Sequence, residues 1–161
     1  MLRVIGVSLV SLMIVFYGFS ASKKYIKRIK ILESMVLVVD FIANQIRYLG
    51  STVDNIIDNV SKNENYKELY FLKNIRCLNN YGEHPKYNEL LPLTTSNYEH
   101  ISSFISQLGF DDVEGEISRC ELYKDIFSDD LKKAKLDFNN KGKLYKSMSL
   151  LTAIAIFIIF I

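Results

Sequence analysis

The sequence has no Trp, and its 161 residues include only two Pro, seven Gly, two Cys and two His. Each scarcity excludes something. So few Pro and Gly leave little of the turn punctuation that a β-rich domain requires. The two cysteines, Cys77 and Cys120, sit inside apolar helical patterns, where a thiol behaves as a small buried hydrophobe. With only His84 and His100 beside them and no close Cys/His spacing, a zinc site has no foundation. An excess of one charge is also missing. Twenty basic residues against 18 acidic ones leave a net charge of +2, which makes no electrostatic case for nucleic acid. No glycine-rich phosphate loop, nucleophile elbow or Ser/His/Asp arrangement occurs, so the chain reads as a non-enzyme with no cofactor and no small-molecule substrate.

What is abundant lies at the two ends. From Val4 to Ala21 the chain carries no charge, and its length approaches the roughly 20 residues that cross a hydrocarbon core about 30 Å thick. Ser147–Ile161 is equally uncharged but shorter, so it crosses with local thinning of the bilayer or begins nearer Lys143 with Lys146 snorkelling. The small residues at Gly18-Phe19-Ser20 resemble a signal-peptide cleavage site. The basic cluster that follows resists export and argues against that reading. Lys23, Lys24, Lys27, Arg28 and Lys30 border the first run, and Lys132, Lys133, Lys135, Lys141, Lys143 and Lys146 precede the second. Both flanks place the intervening region in the cytoplasm. The expected organisation is a transmembrane helix over 1–22, a cytoplasmic helical domain over 23–143 and a second transmembrane helix over 144–161, a two-pass protein of the cell membrane.

Between the runs the periodicity is helical. Tyr25, Ile29, Leu32, Val36, Val39, Ala43 and Ile46 form a stripe at alternating spacings of four and three, as in a coiled coil, and Gly50 breaks it. Ser51 or Thr52 then caps a helix carrying Val53, Ile56, Ile57 and Val60. Tyr66, Leu69, Tyr70, Leu72, Ile75 and Leu78 predict another helix, closed by the turn residues Asn79 to Gly82, and Pro85 and Pro92 bracket at most two turns. Thr94–Ser96 caps a helix with Tyr98, Ile101, Phe104, Ile105 and Leu108 on one face, and Gly109 ends it. A long stripe follows through Val113, Ile117, Cys120, Tyr123, Phe127, Leu131, Ala134 and Phe138, with Gly142 at the membrane boundary. The fold expected is all-α, an antiparallel bundle of about six helices.

Two charged groups invite chemistry. Asp111, Asp112, Glu114 and Glu116 crowd one helix start, with Asp111 and Glu114 at capping-box spacing; carboxylates there complement the helix dipole, and a calcium loop would need glycine and ligand spacing that is missing. Asp129-Asp130 reads as a solvated pair. The candidate membrane-surface residues are Lys23, Lys24, Lys27, Arg28, Lys30, Lys141, Lys143 and Lys146, each basic group near anionic headgroups contributing roughly 1 kcal/mol. An alternative reading of the whole chain follows: a lipid-surface-binding module at the cytoplasmic membrane face.

Four local matches, in order along nearly the whole chain, resemble the stage III sporulation protein AB family of endospore-forming bacteria. They are Gly18-Phe19 with the basic run to Arg28, then Gln45-Ile46-Arg47-Tyr48, then Leu108-Gly109-Phe110-Asp111 with Glu116, and last Lys143-Leu144-Tyr145-Lys146-Ser147. The chain departs from that pattern at Gln45, where the family has an acidic residue, at Thr52-Val53, where it has Pro-Leu, and at Ser149, where it has glycine. The resemblance implies a mother-cell membrane protein facing the forespore during engulfment, a scaffold subunit of a secretion-like channel. It implies a cytoplasmic domain similar to the six-helix bundles of type II secretion platform proteins. It also implies protein partners, namely a secretion-type ATPase and membrane subunits of the channel, beside the membrane lipids.

Overall fold

A computed structural model of the chain describes residues 2–69 and 92–160. All the regular structure among them is helical. α1 runs over Leu2–Leu49, α2 over Val53–Lys62, a 3-10 turn over Glu64–Leu69, α3 over Thr95–Gln107 and α4 over Val113–Asp137. A π-helical turn, Phe138–Gly142, leads without a break into α5, Lys143–Phe160. The expected helix beyond Leu69, Cys77, the Asn79–Gly82 turn, His84 and the segment after Pro85 lie outside the described residues, and with them part of the expected six-helix count.

The chain divides into two compact units, a middle unit of Arg28–Lys132 and a terminal unit of Met1–Lys27 with Lys133–Ile161. In the middle unit α1 buries Leu32, Val39, Ala43 and Ile46 of the expected stripe, together with Ile31, Met35, Val38 and Ile42. The buried face is wider than one heptad seam because more than one neighbouring helix covers it. Gly50, at φ 56°, ends α1: Gly50 N–H donates to the Ile46 carbonyl and Ser51 N–H to that of Gln45, so orphan carbonyls of the last turn are satisfied. Thr52 occupies the N-cap of α2 without a side-chain cap bond, and Ile56, Ile57 and Val60 enter the core.

α3 starts at Thr94, whose hydroxyl accepts from Asn97 N–H. Its Phe104 ring lies 5.1 Å from Tyr123 and 6.0 Å from Phe127 of α4, the second contact edge-on. Such aromatic pairs contribute about 0.5–1.5 kcal/mol beyond their buried area. The contacts 104 with 123 and 127, and 100 with 130, run in opposite senses along the chain, so α3 and α4 are antiparallel.

Two local expectations need correction. α4 is capped by Asp112, whose Oδ1 accepts from Gly115 N–H at 2.9 Å, and not by Asp111. Asp130 is not solvated: it is 3% exposed and meets His100 Nδ1 at 2.7 Å, since its place on the apolar stripe of α4 turns it inward. At Gly142 the helix runs on without a break. One additional residue is accommodated in a wide turn, and a Cβ at Gly142 would stand 2.6 Å from the Phe138 ring, so only glycine lets that ring fold back there.

Candidate membrane-anchoring site

In the terminal unit α1 and α5 pair through small side chains. Gly18 is buried, and a Cβ there would stand 2.9 Å from the Tyr145 carbonyl oxygen and nearer still to the Ser149 side chain. Seven residues earlier, Ser11 Oγ donates to the Ala153 carbonyl at 3.4 Å, and Ala153 is itself buried. Toward the other end Tyr25 stacks on Tyr145 with ring centroids 6.4 Å apart, and Lys146 Nζ sits 4.6 Å above the Phe19 ring. As the position on α1 rises the partner on α5 falls, so the two helices are antiparallel. Close backbone approach at glycine and small residues is how helices associate where the surroundings are as apolar as their side chains.

The large apolar residues point away from this seam. On α1 Leu12 is 68% exposed and Phe16 73%; on α5 Ile158 is 72% and Ile159 74%. Leaving so many contiguous apolar side chains in water would oppose folding, at roughly 25 cal/mol per Å² of apolar surface. Among the described residues one helical stretch, Val113–Phe160, contains a segment long and apolar enough to cross a membrane, with mean hydropathy 1.6 and 6% of that segment buried within the protein. The expected first span begins at Val4, and the side chains before Gly6 lie outside the described ones.

The basic residues border this apolar surface in the sequence. Lys23, Lys24, Lys27, Lys141, Lys143 and Lys146 are exposed members of the terminal unit, whose one carboxylate side chain is Asp137, 3.9 Å from Lys141. Lys30 is exposed in the middle unit. Arg28 differs from its neighbours in the cluster. It is 8% exposed and its Nε donates to Asn97 Oδ1 at 2.9 Å, so this guanidinium serves the polar interior between α1 and α3. A buried charge requires such a partner, and Asn97, 1% exposed, also takes a bond from the Thr94 hydroxyl at 2.8 Å.

Sequence reading alone missed the seam itself. Gly18, Phe19, Tyr145 and Lys146 all stood in the matched motifs, yet their facing relation required three dimensions. The signal available was the spacing of small residues, Ser11 and Gly18 on one run and Ser149 and Ala153 on the other.

Among its described residues the middle unit holds one group with strongly altered acidity. Burial pushes the Cys120 thiol up to about 12, the nearby Glu116 carboxylate adding to the effect, so at neutral pH it is an inert thiol and no nucleophile. Glu116 is a strut. Its Oε1 accepts from Gly109 N–H at 2.8 Å, Asp111 N–H at 3.2 Å and Arg119 Nη1 at 2.7 Å, holding the α3–α4 turn. Comparison with curated proteins and with solved structures yields no match. The family model described as Stage III sporulation protein AB matches residues 3–161, essentially the whole chain, and the protein therefore belongs to this sporulation family.

Proposed function

We propose that this chain is a non-enzymatic, two-pass membrane scaffold of a secretion-like channel complex required for spore formation. In this reading the antiparallel α1–α5 pair of the terminal unit is the anchor, and the middle unit stands on the cytoplasmic side. There it docks a secretion-type ATPase and membrane subunits of the channel. The observation that carries the proposal is the inverted packing of the terminal unit, small residues at the seam and bulky apolar ones outside, which suits lipid and not water. The lysines that border it favour cytoplasmic placement of the region between.

A second reading is supported by the charge of the same unit. Its exposed lysines outnumber its one carboxylate side chain, so they would bind anionic headgroups, and the chain would act as a lipid-surface module.

Topology and company test both. A single cysteine at Thr52, in a chain with Cys77→Ser and Cys120→Ala, should resist a membrane-impermeant maleimide in intact cells and react after lysis. Labelling in intact cells overturns the cytoplasmic placement. Co-purification of the full chain from sporulating cells should recover an ATPase and membrane subunits, whereas recovery of lipid alone would favour the second reading.

A further inference from the structure

The end of the middle unit where two turns meet carries large apolar side chains that its core does not use. Phe110 is 81% exposed, Tyr48 75%, Leu49 67% and Val113 57%. Gly50 closes α1 and Gly109, at φ 89°, closes α3. The turns share this end because Gly109 lies against Val53, whose side-chain atoms would be 3.7–3.8 Å from a Cβ there, and because Arg47 of α1 reaches Glu121 of α4 at 2.7 Å.

The Phe110 turn is built firmly. Glu116, 3% exposed, receives the N–H groups on both sides of Phe110, and Arg119 donates to the Gln107 carbonyl at 2.5 Å while pairing with Asp111 and Glu116. A buried carboxylate and a guanidinium thus hold an aromatic ring in water. Rigid aromatic anchors of this kind are what protein interfaces bury at their centres.

The rim has a sign. Among the described residues Arg47 and Arg119 are each tied to carboxylates at this end, whereas Asp112 and Glu114 are exposed and make no ion pair. This negative border repels anionic headgroups and nucleic acid alike, and it attracts a basic partner. We infer that the patch formed by Tyr48, Leu49, Phe110 and Val113 is a docking surface for a partner protein's segment in which an aromatic or branched aliphatic side chain is flanked by Lys or Arg. The inference rests on the scaffold reading and gives it a surface.

The test places a photo-crosslinking phenylalanine analogue at position 110 of the full chain in its native membrane, with Leu122, 59% exposed on α4, as the control position. The expected result is a protein adduct from position 110 and not from 122, mapped to a segment with an apolar residue beside basic ones. Its yield should fall about tenfold with Glu114→Lys. It should also fall in about 1 M salt, where the screening length shrinks to about 3 Å. Reversing the charge of the mapped partner residue should restore the yield with Glu114→Lys. An adduct with a second copy of this chain, an adduct with lipid, equal yields at both positions or no adduct each overturns the inference. Subunits that still co-purify with a Phe110→Ser, Tyr48→Ser chain remove the patch and leave the scaffold standing. A native chain that brings down no protein subunit removes both.

Discussion

The two units follow opposite packing rules. In the middle unit Leu32, Met35, Phe104 and Phe127 are enclosed by protein and lysines face outward. In the terminal unit the enclosed residues among those described are Gly18, Ser22, Ala134, Gly142 and Ala153, while leucines, isoleucines and phenylalanines cover the outside. Nearly the same alphabet serves both. The difference is the surroundings each surface suits: water drives bulky apolar groups together, whereas hydrocarbon leaves close backbone approach and a few polar contacts to hold helices.

The sharpest break in this contrast is a truncation in the middle core. Phe127→Ala removes a fully buried ring touching Phe104 and Tyr123 and should cost about 3–5 kcal/mol, read as a lower urea midpoint of the detergent-solubilised full chain. The Ser11–Ala153 approach should survive it.

Gly18→Leu should do the converse at about 1–3 kcal/mol, the range typical of overpacking. Cysteines at positions 11 and 153, in the chain without native cysteines, should form a disulfide before the change and not after it, with the middle unit's unfolding midpoint unmoved. A midpoint that falls as far as that of Phe127→Ala would erase the distinction between the units.

A pH series sharpens the water-facing side. The Cys120 thiol is raised in the folded state, so above its ordinary value near 9 the unfolded chain loses a proton that the folded chain keeps. Stability should decline as pH rises from about 9 toward about 12, and Cys120→Ala should flatten that decline in a Cys77→Ser background.

The smallest effect belongs to Glu116→Gln, expected within about 1 kcal/mol by thermal unfolding. An amide oxygen still accepts the Gly109 and Asp111 N–H groups, and Asp111 still pairs with Arg119. What changes is the loss of the Glu116 charge beside Arg119 and an amide nitrogen in place of Oε2, which has no hydrogen-bond partner among the described residues. Glu116→Leu, which strands both N–H groups, should cost more, about 1–3 kcal/mol.

Much of this was readable from residue order. The break at Gly50, the cap at Thr94, the stop at Gly109 and the burial of Cys120 follow from local propensity and helical period. Period alone misplaced Asp130, because a carboxylate on an apolar face is solvated or buried according to whether a histidine stands opposite. The basic run grouped Arg28 with the surface lysines, because its partner Asn97 is 69 residues away in the chain. The Asp112 cap was missed by one position, as several carboxylates in a row compete for the same N–H groups and backbone geometry decides among them.

By itself the sequence determined the helical class, the apolar ends with their lysine borders and the family, because these depend on composition and short-range spacing. The tertiary structure alone decided that Gly18 faces Ser149 and that Phe110 is held outward by Glu116 and Arg119. Which small residue meets which, and which charge is consumed by a neighbour, are set by contacts distant in sequence. Periodicity along one helix carries no information about the face of another.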